Sequence, residues 1–407
     1  MLALKINNKE IVRMNRNFEV IVIGAGAAGL MCAIEAGKRN KKVLIIEHSS
    51  KIAEKIRISG GGRCNFTNLY SNSENFLSNN KHFCKSAFSK YTQNDFIDLV
   101  KKHKIKFHEK KFGQLFCDNS AKDIIEMLIT ECEIQKVEIS LNTEIKSVIR
   151  EDNLYILETE NKGKFICSSL VIATGGLSIP KIGASDYGYK IANQFNLKVT
   201  NLYPALVPLT FKDDILEFCK SLAGVSIEAS VKINKIIFNE GLIFTHRGIS
   251  GPSILQISSY WKPDRSIEVN LLPLNSMDKT LKERRVKTPK QNISNVLSDF
   301  LPNKLAMAIT SLLNTNQKIG EASNETLEKI SNFVNKLTVL PTGTEGYRTA
   351  EVTLGGIDTN EINSATMECK KYSGLYFIGE VVDVTGHLGG HNFQWAWSSG
   401  HIAGQNV

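Results

Sequence analysis

A run of glycines near the N-terminus has the spacing of a phosphate-binding turn. Residues 24–29 read Gly-Ala-Gly-Ala-Ala-Gly, and they connect the apolar, β-branched segment 18–23 to a stretch of small apolar residues typical of a helix. Gly24 permits the tight turn, Gly26 lets a pyrophosphate approach the backbone, and Gly29 lets the helix pack closely on the strand. The helix N-terminus offers free N–H groups and partial positive charge to phosphates. The pattern predicts a dinucleotide site.

An acidic residue supports the same interpretation. The next apolar strand, 42–46, ends at Glu47, which lies 18 residues beyond Gly29. A carboxylate there accepts hydrogen bonds from an adenosine ribose and repels a 2′-phosphate, so FAD or NAD is favoured over NADP. The alternative is a glycine-rich turn that binds nothing, but strand, turn, helix, second strand and acid all stand in the expected order.

Two further strand patterns separate FAD from NAD. Residues 170–176 (Leu-Val-Ile-Ala-Thr-Gly-Gly) and 375–380 (Leu-Tyr-Phe-Ile-Gly-Glu) are apolar runs that end in glycine. A nicotinamide-dependent dehydrogenase needs contiguous βαβ halves, whereas an FAD domain of the glutathione-reductase type is interrupted and its last strand and helix return at the C-terminus. The sequence therefore predicts an α/β fold with a two-dinucleotide-binding (glutathione-reductase-type Rossmann) FAD domain. Glu380 is predicted near the ribityl chain or pyrophosphate, or else is a solvated acid at a strand end.

The C-terminal segment combines a glycine turn with an apolar helix. The helix is predicted to begin near residues 390–392, where its N-terminus would favour the negative charge that a reduced flavin carries around N1 and O2. His387, His391 and His401 do not predict a metal site, because no carboxylate or cysteine completes a ligand set.

The segment 59–65, Ser-Gly-Gly-Gly-Arg-Cys-Asn, is the other unusual stretch. Three consecutive glycines favour close approach of the backbone to a ligand, or else a long flexible loop. Arg57, Ser59 and Arg63 are predicted to meet phosphate or flavin edges. Cys64 is either a buried small hydrophobic residue or a thiol that donates a proton over the flavin.

Composition excludes several classes. The chain has 407 residues, 42% hydrophobic and 22% charged, so disorder, collagen and coiled coil are excluded as the main state. The net charge of +9 favours anionic partners without identifying one. Eight cysteines without a CxxC pair indicate a reduced, cytoplasmic chain, and the N-terminus lacks the apolar region of a signal peptide. No membrane span is predicted, and Met14 is an alternative start.

Five motifs together resemble one family, the BaiN/YhiN-like flavoproteins, which are often labelled aminoacetone-oxidase-like or NAD(FAD)-utilising dehydrogenases. The resemblance covers residues 18–405, and one departure is His391, where many members carry tyrosine or another aromatic residue. The motifs, in order, are Gly24-Ala-Gly-Ala-Ala-Gly29, Ser59-Gly-Gly-Gly-Arg-Cys-Asn65, Phe244-Thr-His-Arg-Gly-Ile-Ser-Gly-Pro252, Thr353-Leu-Gly-Gly356 and Gly389-Gly-His-Asn-Phe-Gln-Trp-Ala-Trp-Ser-Ser-Gly400.

The resemblance implies an FAD domain with an inserted β-barrel and a small helical subdomain. Alternating short segments between 198 and 272 and helical periodicity between 277 and 339 agree with it. The predicted division assigns 1–195 and 345–407 to the FAD domain, 196–274 and 338–344 to the barrel-like insert, and 275–337 to the helical insert.

The leading functional hypothesis is an FAD-dependent oxidoreductase that transfers a hydride between flavin N5 and an unidentified organic substrate, with NADH or NADPH as the donor. The resemblance also implies an alternative, reduction of a uracil in ribosomal RNA. The basic run 282–290 would then lie along the RNA backbone, or else be a solvated helix face. Another class is a non-catalytic flavin redox sensor or assembly factor. DNA is not an expected partner, oxidase chemistry with dioxygen stays open, and so does the oligomeric state.

His246 is the predicted general acid or substrate clamp, because imidazole titrates near neutral pH; a structural role is the alternative. The predicted catalytic residues are His246, Cys64 and Arg247. The predicted cofactor-binding residues are Gly24, Gly26, Ala27, Ala28, Gly29, Glu47, Arg57, Ser59, Gly60, Gly61, Gly62, Arg63, Cys64, Asn65, Ala173, Thr174, Gly175, Gly379, Glu380, Gly389, Gly390, His391 and Asn392.

Overall fold

The computed structural model describes residues 16–407, so the alternative start at Met14 lies outside the described residues. Contacts divide the chain into two compact units: unit 1 comprises the residues up to Leu202 together with Leu354–Val407, and unit 2 is Tyr203–Thr353. The strands are β1 (Arg16–Ile23), β2 (Val43–Ile46), β3 (Asn65–Asn68), β4 (Phe76–Leu77), β5 (Phe107–Glu109), β6 (Gln114–Cys117), β7 (Glu138–Ser140), β8 (Ile145–Glu151), β9 (Leu154–Thr159), β10 (Lys164–Ile172), β11 (Tyr203–Ala205), β12 (Leu209–Thr210), β13 (Ser226–Ile233), β14 (Ile236–Thr245), β15 (Gly248–Ser250), β16 (Ile267–Asn270), β17 (Leu337–Val339), β18 (Gly343–Thr344), β19 (Val352–Leu354), β20 (Leu375–Phe377) and β21 (Thr385–Gly386). The helices are α1 (Ala27–Lys38), α2 (Glu54–Ile58), α3 (Lys85–Lys90), α4 (Gln93–Lys102), α5 (Ala121–Ile134), α6 (Tyr187–Gln194), α7 (Asp213–Ser221), α8 (Pro252–Ser258), α9 (Met277–Lys287), α10 (Ile293–Ser298), α11 (Asn303–Leu312), α12 (Asn324–Asn335) and α13 (His391–Asn406).

Unit 1 is built on a sheet with β1 and β10 at its centre. The parallel strands lie in the order β7-β2-β1-β10-β20, and β9 and β8 extend the sheet in antiparallel fashion from the first half of β10. Residues 20–22 of β1 are fully buried, as expected of a parallel strand that is covered on both faces. The chain moves to one side of β1 and then returns to the other side. The carboxyl ends of β1 and β10 therefore frame the crevice in which open α/β sheets bind ligands.

The returning strand and helix complete unit 1. β20 pairs in parallel with β10, and α13 packs along α1. A Cβ atom on Gly400 would lie 2.5 Å from the backbone oxygen of Ala28, so the two helices approach at backbone distance. Side chains from both faces of α13 anchor it; for example, the Trp397 indole donates to the Phe66 carbonyl at 2.8 Å. The C-terminal helix is thus fixed directly on the helix that follows the glycine turn.

A buried carboxylate joins the same two helices. Glu35 on α1 accepts hydrogen bonds from Gln405 at 2.7 Å and Lys38 at 2.6 Å, and it lies 3.3 Å from the His401 ring. Burial alone would raise the pKa of Glu35, but the hydrogen bonds from His401 and Lys38 outweigh it and lower the pKa to about 2. The carboxylate is therefore charged and partnered at neutral pH.

Unit 2 combines an antiparallel sheet with helices around one core. The strand order is β17-β16-β13-β14-β15-β12-β18. Residues of β13 alternate between buried and partly exposed positions, which is the pattern of a sheet with one covered face. Helices α9 to α12 share one cluster of buried side chains with this sheet.

The structure confirms the predicted α/β fold with a Rossmann-like FAD domain. The predicted division of the insert into a barrel-like and a helical domain stays a prediction. The first and last strands of unit 2, β11 and β19, pair with each other. The boundaries between the two units fall at 202/203 and 353/354. No helix among the described residues is long and apolar enough to cross a bilayer.

Candidate active site

Two glycines of the turn are required by the packing around them. Gly24 has φ +109°, and a Cβ atom there would lie 2.5 Å from the Ala173 carbonyl oxygen. A Cβ atom on Gly29 would collide with the Gly24 carbonyl oxygen. Gly24 thus lets the ends of β1 and β10 meet, and Gly29 lets α1 start directly behind the turn.

Gly26 has the opposite environment. Its backbone is extended, at φ −84° and ψ −173°, and a Cβ atom there would meet nothing within 4 Å. It is the N-cap of α1, which starts at Ala27; no side chain caps the helix and its first turn holds no acid. Open space and uncapped N–H groups at the N-terminus of a twelve-residue helix fit a pyrophosphate. The predicted contacts of Ala27 and Ala28 belong to this same turn.

Glu47 lies beside the turn, as predicted from its spacing. Its carboxylate accepts hydrogen bonds from the N–H groups of Ala25 at 2.9 Å and Ser49 at 2.8 Å, and it lies 3.0 Å from the His48 ring. Burial would raise the pKa of Glu47, but hydrogen bonds from His48, Ala25 and Ser49 lower it overall. The charged oxygens fit ribose hydroxyls and oppose an additional phosphate.

The second wall of the crevice is the end of β10. Ala173 donates to the Ile23 carbonyl at 2.9 Å, so the β10 end lies directly beside the glycine turn. Gly175 has φ +73° and open space where a Cβ atom would be. The Thr174 hydroxyl oxygen is buried without a hydrogen-bond partner among the described residues, and a Cβ atom on Gly188 of α6 would collide with it. The small Ala173 and the open position at Gly175 fit a ligand edge at this wall.

Glu380 follows β20 in a short 3-10 turn that begins at Gly379. Its carboxylate pairs with Lys55 at 2.6 Å. Gly379 is held on α13, because its N–H donates to the Ser399 hydroxyl and its carbonyl accepts from the Trp395 indole. Glu380 is therefore more than a solvated acid at a strand end, and its predicted cofactor contact stays a prediction.

The triple-glycine segment forms a tight turn rather than a long flexible loop. Gly60, Gly61 and Gly62 all have left-handed backbone conformations, with φ +57°, +66° and +84°. Gly60 packs against the Phe116 ring, whereas Cβ atoms on Gly61 and Gly62 would meet nothing within 4 Å. The backbone at Gly61 and Gly62 is therefore open, and its contact with a ligand stays a prediction.

The polar residues around this turn differ in their availability. Arg57 is paired with Glu54 at 3.0 Å, and the Ser59 hydroxyl donates to the Ile56 carbonyl at 2.8 Å. Both side chains are thus engaged locally, whereas Arg63 is exposed. Arg63 is the predicted residue here whose charge remains accessible to a phosphate.

The N-terminus of α13 lies behind a second glycine turn. Gly389 and Gly390 have φ +112° and +95°, and Gly390 caps the helix without any side-chain cap. Asn392 holds the turn closed, since its side-chain oxygen accepts from the Gly386 N–H at 2.8 Å and its amide donates to the Gly386 carbonyl at 2.9 Å. With its amide reoriented, the Asn65 side chain accepts from the Gly390 N–H at 3.2 Å. Asn65 and Asn392 therefore position the helix start.

Two imidazoles, one buried and one half-buried, flank this helix start. The His391 ring lies 3.0 Å from the Ser71 hydroxyl, and its centroid lies 6.4 Å from that of His387. Burial lowers the pKa of His387 to about 4 and that of His391 to about 3. Both rings are neutral at pH 7, so they can hold hydrogen bonds here but carry no positive charge. Among the described residues, no group of three or more histidine, cysteine or acidic side chains could hold a metal ion.

The predicted catalytic residues lie in different units. Cys64 belongs to unit 1; it is fully buried at φ +49°, and burial raises the pKa of its thiol, which is therefore neutral. His246 and Arg247 form the exposed turn between β14 and β15 in unit 2. The Thr245 hydroxyl accepts from the Arg247 N–H at 3.2 Å and so shapes this turn. Their catalytic roles stay predictions.

Asn68 is a site residue that sequence reasoning missed. It is buried, and its amide donates both to the Phe112 carbonyl at 3.0 Å and to the Gly389 carbonyl at 2.9 Å. Its side-chain oxygen accepts from the Tyr70 N–H. An isolated asparagine has many possible partners along a chain, and only the fold brings these backbone groups together.

The crevice between β1 and β10, with its uncapped helix N-terminus and ribose-side acid, is that of an FAD-dependent flavoprotein with a glutathione-reductase-type Rossmann domain. The family model described as "HI0933-like protein Rossmann domain" matches residues 18–406, and the chain belongs to this family.

Curated relatives cover nearly the whole chain. It is 49% identical over 96% of its length to a protein named ribosomal RNA dihydrouridine synthase from Escherichia coli (strain K12), covering 98% of that protein. It is 44% identical over 97% of its length to a protein of the same name from Haemophilus influenzae, covering 99% of it. A 3-dehydro-bile acid delta(4,6)-reductase from Clostridium scindens is 26% identical over 96% of this chain and 98% of that protein.

A solved structure shows a similar fold. The 3-ketosteroid-delta4-(5alpha)-dehydrogenase of Rhodococcus jostii RHA1 matches with a TM-score of 0.50 at 13% identity, over 98% of this chain and 99% of that one. Family membership and fold together confirm the predicted enzyme class, an FAD-dependent oxidoreductase, and the assignment to the BaiN/YhiN-type family.

Proposed function

We propose that this enzyme reduces a uracil base of ribosomal RNA to dihydrouracil. The observation that carries the proposal is the similarity of almost the whole chain to two proteins named ribosomal RNA dihydrouridine synthase, at 49% and 44% identity. These relatives favour the RNA alternative over an unidentified organic substrate. A cytoplasmic location, where ribosomes are found, is part of the proposal.

Different described residues would bind different parts of FAD. The N-terminus of α1, behind Gly26, would hold the pyrophosphate, and Glu47 would hold the adenosine ribose. The uncapped N-terminus of α13 would face the flavin and favour its negative charge after reduction. When bound and reduced, the flavin would supply the hydride that adds to the C5–C6 double bond of uracil.

Reduction of that double bond also takes up one proton, so the site needs an acid. His387 and His391 do not fit this role, because their lowered pKa values leave both rings neutral at pH 7. The protonated Cys64 thiol is buried, which separates it from solvent. His246 is exposed and remains our candidate for the proton donor or substrate clamp.

NADH or NADPH is the proposed electron donor. Purified protein is expected to show flavin absorption bands that bleach under anaerobic conditions with one of the two nucleotides, because transfer to FAD removes the oxidised chromophore. Stopped-flow absorbance measures the rate with each nucleotide. A flavin that neither nucleotide bleaches at a useful rate contradicts this donor and favours another reductant or the sensor alternative.

The substrate is tested with unmodified ribosomal RNA transcribed in vitro. Reduced enzyme is expected to convert a uridine into a nucleoside that is heavier by two hydrogen atoms, which mass spectrometry detects after digestion of the RNA. One enzyme-bound flavin should be reoxidised for each product nucleoside formed. Enzyme that has not been reduced is the matched control and should leave the RNA unchanged. Reduced enzyme that turns over with no such RNA product contradicts the proposal.

A second candidate is hydride transfer to a small organic substrate. The observation that favours it is the similarity to the named bile acid reductase, at 26% identity over nearly the whole chain. This candidate predicts that a small conjugated carbonyl compound reoxidises the reduced flavin in the absence of RNA. The two candidate functions are therefore distinguished by whether ribosomal RNA or the small carbonyl compound restores the flavin absorption bands.

A further inference from the structure

The turn between β5 and β6 presents aromatic and basic side chains to solvent. We define the hairpin tip as Tyr70, Lys110, Lys111 and Phe112. The Tyr70 and Phe112 side chains are 65% and 59% exposed, which is unusual for large aromatic residues. The tip belongs entirely to unit 1.

The tip is rigidly built. Gly113 has φ +75°, and a Cβ atom there would lie 2.7 Å from the Tyr70 ring, so the ring lies against the turn backbone. The Gly113 carbonyl accepts from the Leu69 N–H, and its own N–H donates to the Glu109 carboxylate at 3.0 Å. The turn backbone and the Tyr70 ring are therefore held in place before any ligand arrives.

The two lysines of the tip keep their charge available. The Lys111 ammonium lies 5.4 Å from the centroid of the Phe112 ring, and that of Lys110 lies 5.4 Å from the centroid of the Phe116 ring. Neither lysine has a carboxylate within ion-pair distance in the described part of the chain. The acid of the turn, Glu109, is bound to the backbone of Gly113.

The basic run on α9 differs in this respect. Lys282 pairs with Asp278 at 2.9 Å, Arg284 with Asp299 at 2.8 Å, and Lys287 with Glu283 at 3.6 Å. The positive charges of these three residues are therefore already balanced by neighbouring carboxylates. Three charges of the basic run, which the sequence offered as the RNA contact, thus have a carboxylate partner, whereas among the described residues Lys110 and Lys111 have none.

The tip is joined to the candidate flavin site by one side chain. The Asn68 amide donates to the Phe112 carbonyl in the tip and to the Gly389 carbonyl in the turn before α13, at 3.0 and 2.9 Å. One amide nitrogen therefore lies within hydrogen-bond distance of both segments. A ligand on the tip lies next to the helix start at which the flavin is expected.

We propose that the hairpin tip binds unpaired nucleotides of the RNA substrate beside the reacting uracil. This inference rests on the proposed function. Unpaired bases stack on exposed aromatic rings, and phosphates bind free lysines, so Tyr70 and Phe112 would hold bases while Lys110 and Lys111 would hold the backbone. Such a contact keeps a looped-out uridine at the flavin and makes binding depend on salt.

The test measures binding of a fluorescently labelled single-stranded uridine-rich RNA by anisotropy at several salt concentrations. Y70A/F112A is expected to weaken binding by about tenfold or more, because stacking is lost. K110A/K111A is expected to lower the slope of log K against log salt by about 1.4, at about 0.7 per phosphate contact. Y70F/F112Y and K110R/K111R keep rings and charges and should bind like wild type.

The matched control is K282A/K287A, which removes the same charge from α9 and should leave affinity and salt slope unchanged. Flavin absorption and Tm show that each variant is folded. If the hairpin-tip variants bind RNA like wild type, the proposed role of the hairpin tip is wrong. It is also wrong if only K282A/K287A loses affinity for RNA. Formation of dihydrouridine by wild type on ribosomal RNA is measured in parallel: its absence contradicts the proposed function, whereas wild-type activity with unaffected tip variants contradicts the tip alone.

Discussion

Replacing Gly26 with valine is expected to yield a folded protein that has lost FAD. The backbone at Gly26 is extended and a Cβ atom there would meet no protein atom within 4 Å, so the fold tolerates a side chain. The same side chain would fill the space in which the pyrophosphate must approach the uncapped N-terminus of α1. Losing two charge-assisted hydrogen bonds, each worth roughly 1.5–3 kcal/mol, would weaken FAD binding by about 100-fold or more.

The measurement is the ratio of flavin absorbance to protein absorbance after purification, followed by titration with FAD. Circular dichroism and Tm of the FAD-stripped wild type provide the reference for folding. Gly29→Val is the matched comparison in the same turn: its Cβ atom would collide with the Gly24 carbonyl oxygen, so this variant is expected to be unstable. A Gly26→Val protein that retains FAD at wild-type affinity contradicts the assignment of the turn.

The dinucleotide turn could be predicted in detail because its chemistry is local. The glycine turn, the helix start and the ribose-side acid all lie within residues 18–47. At each of these positions, few other residue types could serve. Gly24 and Gly29 pack as the motif requires, and Glu47 reaches the backbone of the turn through the Ala25 N–H. The return of the last strand was also predictable, since β20 and β10 are both apolar runs that end in glycine.

The rest depended on side-chain pairing and on long-range contacts that the motifs do not show. Arg57 is paired with Glu54, three residues away on the same helix, and its predicted contact with the cofactor stays a prediction. Three of the basic residues on α9 are paired with acids on the same helix or with Asp299. Asn68 connects segments that are 44 and 321 residues distant in the chain, so its role follows only from the tertiary structure.

Catalytic residues were the least predictable part, for a related reason. A histidine's role depends on what surrounds it, and the eight histidines of the chain look alike in the sequence. Burial makes the rings of His387 and His391 neutral, whereas the turn between β14 and β15 leaves His246 exposed. The structure thus excludes His387 and His391 as the proton donor, because their rings are neutral. The identity of the proton donor stays a proposal.

Replacing Gly400 with valine is expected to destabilise unit 1 and weaken FAD binding together. A Cβ atom at Gly400 would lie 2.5 Å from the Ala28 backbone oxygen and 3.1 Å from the Met31 Cβ atom, so α13 would have to move away from α1. Overpacking of this kind costs about 3 kcal/mol when backbone cannot yield. For a unit of this size, that loss lowers Tm by roughly 6–12 °C.

The effect reaches the cofactor because Ala28 lies in the first turn of α1, whose N-terminus is the proposed pyrophosphate site. Differential scanning fluorimetry and FAD titration measure both consequences on one preparation. Gly241→Val in β14 is the matched control, since its Cβ atom would meet only Pro252 and Glu228 at 3.8 and 4.0 Å, and it should keep Tm and FAD affinity. A Gly400→Val protein with unchanged Tm would show that the two helices can separate at no cost. If Tm falls while FAD affinity stays at the wild-type value, α13 stabilises the fold without setting the position of the glycine turn.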